Sequence, residues 1–210
     1  MLISPQVAAA QSPVPAAAPL RLMVIGDSLT AGFGLPMEQA FPAQLEAALR
    51  RNGHVLTVLN AGVSGDTSAG GKARLAWALA DKPDAVILEL GANDGLRGID
   101  PQELYGNLSA ILTTLKARGI PVFLCGMFAP PNLGAAYGEE FRAVYTRLAK
   151  EFGVPLQPFF LEAVATKPEL VQADGLHPNA AGVTAMVESI LPRIEPWLRA
   201  IGRPAPTANR

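Results

Sequence analysis

Short apolar runs alternate with amphipathic stretches along nearly the whole chain, and this alternation limits the fold more than any other feature. Leu20 to Ile25, His54 to Leu59, Ala85 to Leu90, Pro121 to Leu124 and Val154 to Gln157 read as strands. Phe41 to Arg51, Lys72 to Ala80, Pro101 to Arg118, Glu139 to Phe152 and Asn179 to Ala200 read as helices, the last with a break near Pro192. Pro101 stands near the start of its helix and Gly119 just past the end, the usual asymmetry of helix termini. Strands separated by helices imply parallel pairing with right-handed crossovers and helices on both faces. No repeat or linker interrupts the pattern. The reading is one domain over residues 20–201, a three-layer α/β/α sandwich with a central sheet of about five strands.

Composition removes several classes of function. Of the 210 residues, 50% are hydrophobic and 17% charged, enough apolar surface for a sizeable core. Lys and Arg number 17 against 18 Asp and Glu, so the chain has no excess positive charge for nucleic acid or an anionic membrane. A single cysteine, Cys125, excludes an intrachain disulfide and a cysteine-rich zinc site. No apolar run approaches the roughly 18 residues of a membrane span. Residues 1–19 are uncharged and rich in Ala and Pro, which suggests either a disordered tail or the remnant of an export signal. Residues 202–210 read as a second tail. The export reading makes the protein periplasmic or secreted; the other leaves it cytoplasmic.

In open parallel sheets, ligands bind beyond the carboxyl ends of the strands, where the strand order reverses. A flavodoxin-like order, 2-1-3-4-5, puts that point between the first and third strands. The loops there are Gly26-Asp27-Ser28-Leu29-Thr30, Asn60-Ala61-Gly62-Val63-Ser64-Gly65-Asp66 and Gly91-Ala92-Asn93-Asp94-Gly95. Any one of them could be an ordinary turn. Together, at the expected ligand edge, they form a candidate site.

The chain has two histidines. His54 opens the second strand and so belongs to the far end of the sheet. His177 lies in Asp174-Gly175-Leu176-His177-Pro178, where Asp174 can accept the Nδ1 proton and leave Nε2 free as a base. A serine hydroxyl needs such a base to attack at neutral pH. Ser28 is the best placed, with Ser64 and Ser68 as competitors. No G-x-S-x-G elbow is present, so an ordinary α/β-hydrolase nucleophile is not supported. Oxyanion donors are available in the Ser28 and Gly62 backbone amides and the Asn93 side chain. Two other readings use the same loops: a metal-dependent phosphohydrolase with Asp27, Asp66, Asp94 and Asp174 as oxygen ligands, and a binding module without catalysis.

The blocks Gly26-Asp27-Ser28-Leu29, Asn60-Ala61-Gly62, Gly91-Ala92-Asn93-Asp94 and Asp174-Gly175-Leu176-His177-Pro178 resemble, in order, the four blocks of the SGNH, or GDSL, hydrolases. The longer phrases GDSLTAGFGL and NAGVSGDTSAGG resemble the bacterial arylesterase, thioesterase I and lysophospholipase subgroup, whose members are often exported. The resemblance implies Ser28 as nucleophile, His177 as general base and then acid, and Asp174 as its orienting partner. It implies an oxyanion hole of the Ser28 and Gly62 amides and Asn93, and needs no metal or organic cofactor. Asp27 and Asp94 are then expected to hold turns by accepting backbone N–H bonds. The implied substrates are carboxylic esters: short-chain acyl or aryl esters, thioesters or lysophospholipids. A carbohydrate O-acetylesterase with the same machinery is the nearest alternative. Expected pocket walls are Phe33, Leu35, the loop from Met127 to Tyr137, and residues 159–171.

Overall fold

The computed structural model describes residues 18–202. Both expected tails lie outside these residues, apart from Ala18, Pro19 and Gly202 at their inner ends. Five parallel strands, β1 (Leu20–Gly26), β2 (Leu56–Gly62), β3 (Ala85–Glu89), β4 (Val122–Cys125) and β5 (Leu156–Gln157), form one sheet ordered 2-1-3-4-5. The helices are α1 (Ser28–Ala31), α2 (Phe41–Arg51), α3 (Ser68–Ala78), α4 (Ala92–Leu96), α5 (Pro101–Ala117), α6 (Ala135–Phe152) and α7 (Ala180–Ile201). Helices α2 and α7 pack together, and α5 lies between α3 and α6. Among the described residues, no helix is long and apolar enough to cross a membrane.

The central strands are apolar on both faces because both are covered. Residues 22–25 of β1 and all of β3 are buried, and Leu22 to Ile25 pair in register with Ala85 to Leu88. Helix α5 shows how local sequence feeds this core. Asp100 caps it by accepting from the Gln102 amide, Pro101 fills the first turn, and Leu104, Leu108, Ile111 and Leu115 form one buried stripe.

Four boundaries differ from the sequence expectation, each for a physical reason. Strand β2 runs two residues later at its start and continues through Gly62, because the whole of β1 pairs with it, down to Gly26 opposite Gly62. The Asn60-Ala61-Gly62 block is therefore strand rather than loop. Helix α3 begins at Ser68, where the Thr67 hydroxyl caps the Gly70 amide and offsets two weak helix formers, Gly70 and Gly71. Helix α6 begins at Ala135, so Tyr137 is helical. Helix α7 passes through Pro192 and Pro196 without a break. Both prolines, and the residue Glu188 one turn earlier, lie on the exposed face. The carbonyls that lose an intrahelical donor therefore face water, while Ile190, Ile194 and Leu198 stay buried on the opposite side.

Candidate active site

The first turn after β1 is built around Asp27. Its Oδ1 accepts from the Leu29 amide at 3.0 Å and so caps the four-residue α1, which places Ser28 at the first helical position. At that position the amide has no partner inside the helix. Helix α1 lies against the end of β2 so closely that a Cβ on Gly62 would collide with the Ala31 amide; only glycine fits. Beneath the turn sits Glu89, the last residue of β3, buried at 1% exposure. Its Oε2 accepts from Thr30 Oγ1 at 2.8 Å and from the Asp27 amide at 3.4 Å, and its Oε1 is buried without a partner. Burial, and then the neighbouring Asp27 carboxylate, push the Glu89 carboxyl well above its ordinary range. Asp27 is pushed up to about 6, again chiefly by burial.

The third block is held by a tyrosine strut. Tyr145 of α6 is fully buried and donates its hydroxyl to the Leu90 carbonyl at 2.9 Å. Gly91 has φ of 126°, and a Cβ there would run into that hydroxyl. The turn delivers Asn93, whose Nδ2 donates to Asp66 O at 2.9 Å and to Asp27 Oδ2 at 3.3 Å. Both amide hydrogens are thus aimed, the one toward Asp27 by a long bond that an incoming oxyanion can replace. Asp94 turns the other way. It accepts from the Ser68 amide at 2.8 Å and from the Ser68 hydroxyl, so Ser68, fully buried, is committed to structure.

The last block is a small hairpin between Leu170 and Asn179, closed by the Val171–Pro178 bridge and the Gln172 amide on His177 O at 2.7 Å. Asp174 Oδ1 accepts from the Leu176 and His177 amides at 2.9 and 3.0 Å. Its Oδ2 takes His177 Nδ1 at 2.7 Å. These bonds, the His177 amide foremost, hold the Asp174 carboxyl down at about 2. A carboxylate can only accept, so His177 carries its proton on Nδ1 and presents a lone pair on Nε2. That Nε2 lies 2.9 Å from Ser28 Oγ.

Ser28, Asn93 and His177 open on one cavity of about 800 Å³. Leu29, Leu96, Met127, Phe128, Phe159 and Val164 contribute to a mainly apolar wall, with the Phe128 and Phe159 rings stacked 4.2 Å apart. The predicted site residues fall into groups. Ser28, His177 and Asp174 are joined by hydrogen bonds. Gly62 lies beside α1, its amide donating to Asn60 Oδ1 at 3.0 Å. Of the expected wall residues, Met127 lines the cavity but Phe33, Leu35 and Tyr137 do not. Phe33 instead lies over the His177 ring, with centroids 4.5 Å apart. Leu35 packs against the core. Tyr137 is turned away by its place on α6 and donates to Ile99 O at 2.6 Å.

The four aspartates do not gather. Asp66 binds Arg74, Asp94 binds Ser68, and Asp27 and Asp174 are committed as described. Among the described residues, no three His, Cys, Asp or Glu side chains form a metal-binding group. Sequence reasoning missed Glu89, Arg74 and Gln172. Glu89 had a signal, as the one charge within the apolar run Ala85 to Leu90. Arg74, which donates to Gly26 O at 2.9 Å, had none.

Comparison with known proteins places this arrangement. Residues 24–185 match the GDSL-like lipase/acylhydrolase family. The chain is 42% identical over 179 residues to an arylesterase of Vibrio mimicus, covering 85% of this chain and 84% of that protein. It is also 42% identical over 182 residues to the thioesterase 1/protease 1/lysophospholipase L1 of Escherichia coli K12, covering 86% of each. The crystal structure of the psychrotrophic esterase EstA from Pseudoalteromonas sp., inhibited by monoethylphosphonate, superposes with a TM-score of 0.81 at 32% identity, covering 85% of this chain and 98% of that one. All four motif blocks fall inside the matched span, and the chain belongs to the GDSL-like lipase/acylhydrolase family.

Proposed function

We propose that this carboxylic ester hydrolase works through a covalent acyl-enzyme on Ser28. One observation carries the reading: the unbroken line from Asp174 Oδ2 through the His177 ring to Ser28 Oγ, with contacts of 2.7 and 2.9 Å. His177 Nε2 takes the Ser28 hydroxyl proton as Oγ bonds to the ester carbonyl carbon. The carbonyl π electrons move onto oxygen, where the Ser28 amide and Asn93 Nδ2 receive the charge, with the Gly62 amide as third donor once it leaves Asn60. The tetrahedral adduct collapses, the bond to the leaving alcohol or thiol breaks, and His177 returns the proton to it. Water then repeats the sequence, and the acid leaves with Ser28 restored. Ionised Asp174 stabilises the imidazolium without itself taking the proton.

The apolar wall supports an acyl or aryl group of hydrocarbon character, and supports esters, thioesters and lysophospholipids over acetylated carbohydrate. The names of the relatives point the same way. Intact-mass labelling with a fluorophosphonate tests the nucleophile. One adduct on wild type and none on Ser28→Ala is expected; equal labelling of both would reassign it. Profiling aryl esters, acyl thioesters and lysophospholipids of increasing chain length then ranks the substrates.

A further inference from the structure

The Ser28–His177 contact joins segments about 150 residues apart in sequence, and one side chain outside that pair braces them. Gln172 donates through Nε2 to Phe33 O at 2.8 Å and to Pro178 O at 2.9 Å. Its backbone amide donates to His177 O at 2.7 Å, and its carbonyl accepts from Gly175 at 3.0 Å. On the other side, the Phe33 amide donates to Ser28 O at 3.1 Å. A closed loop of bonds results: Ser28 to Phe33, Phe33 to Gln172, Gln172 to His177, and His177 Nε2 back to Ser28 Oγ. Among the described residues, the Gln172 side chain supplies the only hydrogen bond between residues 26–35 and 170–179 other than the Ser28–His177 contact itself.

The chemistry of the amide fixes its direction. Both partners are carbonyl oxygens, so both amide hydrogens are needed and an oxygen in that place would face two others. Gly34 leaves room for the brace, since a Cβ there would strike Gln172 Oε1. Gln172 is not among the residues that line the cavity.

We propose that Gln172 is a positioning residue that sets the distance and angle between Ser28 and His177, an inference that rests on these two acting as nucleophile and base. Without it, the serine turn and the histidine hairpin keep their own local bonds, and the Phe33–His177 ring contact and the Ser28–His177 bond are left to hold a looser mutual register. Rate is steep in that register, a displacement of about 1 Å costing on the order of 100-fold. The loss falls on kcat, because the cavity wall is unchanged.

The test compares wild type, Gln172→Met, Gln172→Glu and Ser28→Ala. The measurements are the second-order rate of fluorophosphonate labelling from about pH 6 to about pH 9, kcat and KM on an aryl ester, and the thermal midpoint of each protein. Both Gln172 variants are expected to label about 10–100-fold more slowly across the whole profile, with KM within about twofold. Gln172→Glu has the same size and stays polar, so it serves where Gln172→Met folds poorly. Labelling of either folded variant within about threefold of wild type, beside an inert Ser28→Ala, would overturn the brace and leave the nucleophile standing. A rate loss that only tracks the unfolded fraction would also overturn it, making Gln172 a fold contact. Labelling of Ser28→Ala equal to wild type would instead bring down the nucleophile.

Discussion

Asp27 precedes Ser28 and Asp174 holds the histidine bonded to it, yet their carboxyls are driven in opposite directions. Asp27 is buried beside Glu89 and rises to about 6, while Asp174 sits in an exposed hairpin and falls to about 2. The difference lies in what each must do. Asp27 belongs to a platform welded to the sheet, where β1, β3, α1 and Thr30 meet, and burial there disfavours charge. In the proposed mechanism Asp174 stays ionised to hold an imidazolium, and three N–H donors keep it so without burial. Ser28 is thus mounted on the core, and His177 on a surface loop. Changes on the hairpin should then alter rate with little change in stability, whereas changes on the platform should alter both.

The largest effect removes the chemistry and leaves both mounts intact. Ser28→Ala should lower kcat by about 10⁴–10⁶-fold with an unchanged thermal midpoint, measured on an aryl ester. Asp174→Asn attacks the hairpin. A fall in kcat of about 10³–10⁴-fold is expected, because the amide supports the wrong imidazole tautomer, with a melting curve close to wild type. A large loss of stability would erase the contrast. Wild type should also keep this pair through mild acid. A carboxyl lowered from 3.8 to about 2 contributes stability that is complete above its unfolded value and is lost as pH falls from about 3.8 through about 2.

Asn93→Ala sharpens the platform side. It should cost about 10²–10³ in kcat and, because Asp66 O and Asp27 lose a donor, about 1–2 kcal/mol of stability. Asp94 and Ser68 would still anchor α3, so folding should remain cooperative in a denaturant titration. The smallest effect is Glu89→Gln. The folded state holds protons on Asp27 that the unfolded chain releases above 3.8, so stability should decline as pH rises from there through about 6. Glu89, raised in the same way, adds to that decline. The glutamine variant should flatten it, melting above wild type near pH 8 and level with it near pH 4 in thermal melts at the two pH values. A variant melting below wild type at the higher pH would show that the Glu89 charge is needed.

The features readable in advance were those written in periodicity. The stripe Leu104, Leu108, Ile111, Leu115 and the run Ala85 to Glu89 declare helix and strand without help, and their alternation carries the parallel, helix-covered sheet. The mounts of the site were harder to read because they are short. A four-residue helix such as α1 has no period, and its cap Asp27 looks like any turn aspartate. The Gly62 block has turn composition but is strand, since β1 pairs with it and α1 leaves no space for a side chain. Tyr137 fell outside the cavity because the small residues after Gly134 read as loop while forming the first turn of α6. Ser28, Asn93, Asp174 and His177 were legible because their chemistry is carried in short blocks. Gln172 was not, because a brace is defined by two distant carbonyls that no local pattern records.

The cavity wall supplied by Phe159, Val164 and Val171 lies on the same irregular stretch, between β5 and α7, that ends in the His177 hairpin. The shape of the cavity and the placement of His177 are therefore mechanically linked in one direction only. Exchanging side chains along that stretch can reshape the acyl chamber while the hairpin keeps its anchor at the start of α7. Adding or deleting residues there would shift the hairpin relative to the sheet, so a redesign for bulkier acids should change residue size and leave loop length alone.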